Sequence, residues 1–229
     1  MSEQLTLPVD LPDIADFSNF IPGENKTVIS ALQHFVNESE DNVFYLWGAE
    51  GSGLTHLLMA VCQLVVNAAY ISFSHESLLD VSLLEGVENI PLVCFDDIDH
   101  VAGDKVWEHA LFHCYNRVIS CRHKMIVAAH CSPAQLTIQL PDLKSRLAAG
   151  SVYKVEPLDD EDKIVALKAR AALHGVEMTD EVAKYLLNHS ERNAKSLFNT
   201  LTRLEKENLS HHRRLTIPFL KEVLELKSE

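Results

Sequence analysis

A chain of 229 residues with 47% hydrophobic content can bury one substantial core, or a medium domain beside a small one. Its formal net charge of −13 excludes a broad, sequence-independent grip on DNA, which needs clustered lysine and arginine; the basic residues from Arg203 to Arg214 are interrupted by acidic ones and read as a solvated helix end. Five cysteines, an odd number with no C-x-x-C pair, suggest neither a disulfide framework nor a zinc site, and no apolar stretch is long enough to span a bilayer, so a reduced, cytoplasmic protein is expected.

Residues 1–12 contain Pro8 and Pro12 with few helix signals and read as an extended tail. A helix is predicted near 27–38, a strand over 43–47, a helix over 54–66 and a strand over 69–73. Between the first strand and the second helix stands Gly48-Ala49-Glu50-Gly51-Ser52-Gly53-Leu54-Thr55. It follows the phosphate-loop pattern G-x-x-x-x-G-K-[ST] everywhere except at Leu54, where the lysine belongs. Backbone N–H groups from Gly51 to Thr55, at the positive end of the helix, can surround a phosphate. The lysine normally reaches the β- and γ-phosphates, so its loss touches catalysis more than cradling. A chain that holds a nucleotide but hydrolyses it poorly is expected.

The next strand, Leu92 to Asp96, ends in Asp96-Asp97. Strands commonly end in polar turns, but downstream of a phosphate loop a magnesium-binding aspartate belongs here. Asp96 would then face the metal, directly or through water, together with Thr55, and Asp97 would sit where an activated water is polarised. Val106, Trp107, Ala110, Leu111, Cys114, Tyr115, Val118 and Ile119 recur at helical spacing, followed by strands at Lys124–Ala129 and Val152–Val155. Such alternation predicts a parallel sheet covered on both faces. After Pro157 only helices follow: one opened by Asp159 to Asp162 and running to about His174, one capped by Thr179, one near Asn193 to Leu209, and one opened by Thr216 and Pro218. The expected division is a tail over 1–12, an α/β nucleotide-binding domain over 13–156 and a helical lid domain over 157–229.

The phosphate loop, the Asp96-Asp97 strand end, the segment Leu143-Lys144-Ser145-Arg146-Leu147 and the helical C-terminal part together resemble the AAA+ ATPase module of the bacterial initiator DnaA and its regulatory homologues. The resemblance covers nearly the whole length. It implies an α/β fold: a P-loop AAA+ module with a parallel sheet sandwiched by helices, followed by a small all-helical lid. Phe17 to Gly23 with Asn25 is similar to the family's nucleotide-base pocket, so Phe20, Ile21, Pro22, Gly23 and Asn25 join Gly48, Gly51, Ser52, Gly53, Leu54, Thr55 and His56 as expected cofactor contacts.

The same resemblance implies that Arg146 lies at the module's edge as an arginine finger for a nucleotide held by a neighbouring subunit, worth about 10³–10⁵-fold in rate in well-studied cases. An arbitrary arginine would instead pair with Asp142 or another surface carboxylate at little energetic value. His130 departs from the polar sensor expected there. Lys195 stands where a lid arginine normally contacts phosphate; it keeps the charge but loses the planar fork, and an exposed helix lysine is the other reading. Gln4-Leu5-Thr6-Leu7-Pro8 is similar to the regulatory homologues' motif for the replicative sliding clamp, with Gln4 supplying hydrogen bonds while Leu5 and Leu7 fill apolar pockets.

Without the loop lysine, a nucleoside diphosphate (ADP) is expected to bind at least as tightly as a triphosphate, with magnesium at Thr55 and Asp96. The function implied is a regulatory adaptor that binds DnaA and the DNA-loaded clamp, has little hydrolysis of its own and no membrane partner, and leaves direct DNA contact open. An active AAA+ ATPase such as a helicase loader is the alternative, and a nucleotide-free scaffold a third.

Overall fold

The computed structural model of the chain describes residues 15–74, 80–211 and 215–225. Gln4, Leu5 and Leu7 of the expected clamp motif lie outside the described residues. Five strands, β1 (Val43–Gly48), β2 (Ala68–Ser72), β3 (Leu92–Asp96), β4 (Lys124–Ala129) and β5 (Ser151–Val155), form one sheet in the order β2-β3-β4-β1-β5. Every neighbouring pair is parallel. This order sets β4 between β1 and β3, so the phosphate loop, His130 and the Asp96-Asp97 pair emerge side by side from the carboxyl edge of the sheet, where ligands of open α/β sheets bind.

Side chains alternate between two cores, as the pleat requires. Tyr45, Val93, Phe95, Met125 and Val127 point to one face, onto α3 (Lys105–Ser120) and α4 (Pro141–Ala149). Phe44, Leu46, Leu92, Cys94, Ile126 and Ala128 point to the other, onto α1 (Lys26–Asn37) and α2 (Leu54–Leu64). A strand buried on both faces has no polar side to show, which is why β1 and β3 read as continuous apolar runs. α2 stops two residues earlier than its apolar pattern predicts: Val65 is already extended at φ −109°, ψ 117°, and Asn67 turns through φ 63° into β2. α4 carries the Leu143–Leu147 segment, for which no helix was expected, and single 3-10 turns at Val81–Leu84, Val87–Asn89 and Ile98–His100 are too short to leave a periodic signal.

The C-terminal helices α5 (Asp160–Leu173), α6 (Asp180–His189), α7 (Ala194–His211) and α8 (Ile217–Glu225) form a helical lid around a third core containing Leu167, Ala183, Leu186, Leu197, Leu201 and Leu220. Each begins at a side-chain cap. Asp159 Oδ1 accepts from Asp162 N at 2.8 Å, Thr179 Oγ1 from Val182 N at 3.4 Å, Asn193 Oδ1 from Ser196 N at 2.7 Å and Thr216 Oγ1 from Phe219 N at 3.4 Å. Such caps satisfy otherwise orphaned amides, at about 0.5–2 kcal/mol each. Asn193 is thus the cap of α7, not its first residue. Among the described residues no helix is long and apolar enough to cross a membrane.

Candidate nucleotide site

Glycine is obligatory along the phosphate loop. A Cβ on Gly48 would lie 2.5 Å from the Val155 carbonyl oxygen and 2.6 Å from Ser52 Oγ, and Gly51 (φ +79°) and Gly53 (φ +99°) adopt left-handed backbone. The loop opens directly into α2, whose first amides have no intrahelical partner. Ser52 Oγ is buried without a hydrogen-bond partner, an orphan inside the loop that an anion can satisfy. The Leu54 side chain is buried among Leu57, Leu58 and Phe44, so only its backbone N–H is available to a phosphate.

Asp96, buried at the end of β3, is heavily engaged. Its Oδ2 accepts from Thr55 Oγ1 at 2.7 Å and from the Tyr70 hydroxyl at 2.8 Å, and its Oδ1 accepts from Asp97 N at 3.1 Å. Burial raises the Asp96 pKa, opposed by the Thr55 hydrogen bond and reinforced by the Asp97 charge. Among the described residues no group of three or more His, Cys, Asp or Glu side chains could hold a metal ion. Thr55 Oγ1 and Asp96 Oδ2, the groups expected beside magnesium, bind each other, and the Tyr70 hydroxyl occupies the same Asp96 oxygen. Asp97 sits at φ +59°, a strained backbone for a non-glycine residue, with Oδ2 3.3 Å from Ser72 Oγ. His130 does not face the cleft alone. Its backbone N–H donates to Asp99 Oδ1, and its Nδ1 lies 3.1 Å from Asp99 Oδ2 and 3.8 Å from Asp97 Oδ1.

The segment before α1 lines the same end of the sheet. Phe20 is buried against Gly53, where a Cβ would meet its ring at 2.8 Å, and packs edge-on to His56 at 5.2 Å. His56 Nε2 lies 2.9 Å from the Asp16 carbonyl oxygen, which ties the segment to α2. Ile21, Pro22 and Gly23 are half-buried, and a Cβ on Gly23 would strike Asp162 Oδ2 on α5 at 2.9 Å. The Asn25 amide is occupied: Nδ2 donates to Glu156 O at 2.9 Å while Oδ1 accepts from Glu156 N at 2.8 Å. Asn25 therefore clamps this segment to the end of β5 through both polar groups of its side chain.

The lid closes over the loop. A Cβ on Gly51 would lie 3.2 Å from Lys195 N and 3.3 Å from Ala194 N, so the first amides of α7 face the phosphate loop and two positive helix ends converge there. Lys195 Nζ donates to Glu50 Oε1 at 2.7 Å. That bond and charge hold the Glu50 carboxyl below its usual pKa and the Lys195 ammonium above its own. Both side chains are exposed, so the pair is worth little and a phosphate can compete for Lys195.

Arg146, on α4, lies apart from this cleft in its contacts. Its guanidinium carbon is 4.6 Å from the centre of the Phe112 ring and 5.2 Å from that of Tyr115, and Nη1 donates to Asn116 Oδ1. All three partners belong to α3, and among the described residues no carboxylate pairs with Arg146, Asp142 included. Glu108, also on α3, is buried and accepts from the amides of Gly103, Gln139 and Leu140 at 2.8–3.0 Å, anchoring the start of α4. An acidic residue within the apolar stripe between Trp107 and Leu111 was a readable signal of such a role. Tyr70 and the Phe112–Tyr115–Asn116 cradle left none.

Residues 160–224 match the family model "Hda, lid domain". Domain III of the Thermotoga maritima replication initiation protein DnaA is similar in structure at TM-score 0.79 and 19% identity, over 94% of this chain and 97% of that one. The AMPPCP-bound DnaA of Aquifex aeolicus matches at TM-score 0.69 and 20% identity, over 88% of this chain and 68% of that one. The Thermotoga maritima RuvB Holliday junction branch migration motor also gives 0.69 and 20%, over 93% and 72%.

Proposed function

We propose that the chain is an Hda-like, DnaA-homologous AAA+ protein acting as a regulatory adaptor, which holds a nucleoside diphosphate and lends Arg146 to hydrolysis in ATP-bound DnaA. The left-handed glycines, the orphaned Ser52 hydroxyl and the two converging helix ends support a nucleotide in the cleft, as does AMPPCP in the similarly folded Aquifex aeolicus DnaA, and the missing loop lysine favours the diphosphate. Gly48, Gly51, Ser52, Gly53 and Thr55 would hold the phosphates with Lys195, while Phe20, Ile21, Pro22 and His56 would border the base. Gln4, Leu5 and Leu7 would tether the protein to the DNA-loaded sliding clamp, so that DnaA is inactivated where replication has begun. Domain limits at 12 and 156 belong to the same proposal.

The observation that carries this reading is the state of Arg146: a guanidinium stacked on two aromatic rings, steadied by an amide and paired with no carboxylate among the described residues. An unneutralised, pre-oriented charge can stabilise the oxygens of a phosphoryl group in transfer. ATP-bound DnaA is mixed with the protein, with and without clamp on DNA, and phosphate release is followed. Stimulation that needs loaded clamp and falls at least about tenfold with Arg146→Ala is expected. Equal stimulation by the variant refutes the assignment.

The Thr55–Asp96 contact favours a second reading, an active AAA+ ATPase. Leu54 buried in the core and His130 held by Asp99 oppose it. Steady turnover by the purified protein would decide for it.

A further inference from the structure

The hydroxyl of Tyr70 and its position on Asp96 bear on how the cleft handles charge. Tyr70 lies on the edge strand β2 opposite Cys94, two residues before Asp96 on β3. Its ring packs into the core beside α2, and its hydroxyl reaches Asp96 Oδ2 at 2.8 Å, the oxygen already taken by Thr55 Oγ1 at 2.7 Å. An ionised carboxylate offers about four lone-pair positions. Both on Oδ2 are filled, and one on Oδ1 is filled by the Asp97 amide. Asp96 is 1% exposed, so little water reaches what remains.

We propose that Tyr70 closes Asp96 Oδ2, the oxygen beside Thr55, to the shell of a divalent cation, and that this cleft retains its nucleoside diphosphate without magnesium. The inference rests on the nucleotide reading above and deepens it. A metal-water shell needs open acceptors on Asp96, and the Tyr70 hydroxyl occupies the one beside Thr55. The charge the metal would have balanced falls to other groups already aimed at the loop: the amino-terminal ends of α2 and α7, and Lys195. These serve a diphosphate better than a triphosphate, which brings one more negative charge and, without magnesium or the loop lysine, nothing further to meet it.

The test is calorimetric titration of the full chain with ADP in buffer containing EDTA and in buffer containing magnesium chloride, for the unaltered protein and for Tyr70→Phe, which keeps the ring and removes only the hydroxyl. The unaltered protein is expected to bind with dissociation constants within about twofold of each other in the two buffers, while Tyr70→Phe binds about fivefold or more tightly with magnesium than without. Binding by the unaltered protein only with magnesium overturns the inference and leaves the nucleotide site standing. Magnesium indifference in both proteins removes Tyr70 as the cause. Absence of ADP binding in either buffer overturns the nucleotide reading with it. Far-ultraviolet circular dichroism verifies that Tyr70→Phe is folded, and should it not be, the comparison of buffers with the unaltered protein still decides metal independence.

Discussion

Gly53 shows how tightly single positions are specified around the cleft. Its φ of +99° acts together with the crowding of Phe20, whose Cε2 lies 2.8 Å from where a β-carbon would stand. Gly53→Ala must therefore strain the backbone and displace the ring that packs on His56. A loss of about 1–3 kcal/mol in denaturant unfolding is expected, with weaker ADP binding; an unchanged midpoint contradicts the geometry. Arg146 is as particular in chemistry. A guanidinium can sit over Phe112 and still donate through its fork, as Nη1 does to Asn116, whereas an ammonium lacks that planar geometry. Arg146→Lys is therefore expected to lose most of the proposed stimulation of DnaA despite retaining its charge, as measured by phosphate release.

α4 owes its position to a buried acid on its neighbour. Glu108 is 1% exposed and accepts from Gly103, Gln139 and Leu140, so it holds the turn before α4 against α3. Removing it leaves three amides without their acceptor, each of which loses a charge-assisted bond. Glu108→Ala is expected to destabilise the protein by about 2–4 kcal/mol in thermal or denaturant unfolding. Because α4 carries Arg146 and no phosphate-loop residue, the variant should also lose the proposed stimulation of DnaA while retaining the proposed ADP binding under conditions where it is folded. Loss of ADP binding with stimulation retained would reverse the proposed division of labour between the helices.

The sheet module and the lid have separate cores, and the nucleotide cleft lies where α7 meets the phosphate loop. A ligand that touches both should stabilise the whole chain. At a hundredfold excess over its dissociation constant ADP is expected to add about 2.7 kcal/mol, raising Tm by about 2–4 °C per kcal/mol for a chain of this size. Lys195→Ala should reduce that shift, and ATP should give no larger one. A clearly larger shift with ATP would argue that the missing loop lysine is compensated elsewhere.

Much of this was legible in the residues. The apolar runs of β1 and β3, the glycine spacing of the loop and the caps at Asp159, Thr179 and Thr216 are local signals, set by backbone sterics and by amides that need acceptors a few residues away. The lid helices were readable for the same reason. Other features had no local signature. That Tyr70 meets Asp96 depends on β2 pairing with β3 in one register; that Arg146 finds two aromatic rings depends on α4 packing on α3; that Asn25 binds Glu156 joins residues 131 positions apart. Which polar groups satisfy one another in a folded chain is decided by sheet register and helix packing, because a hydrogen bond demands positions within a few tenths of an ångström that no nearest-neighbour preference can supply.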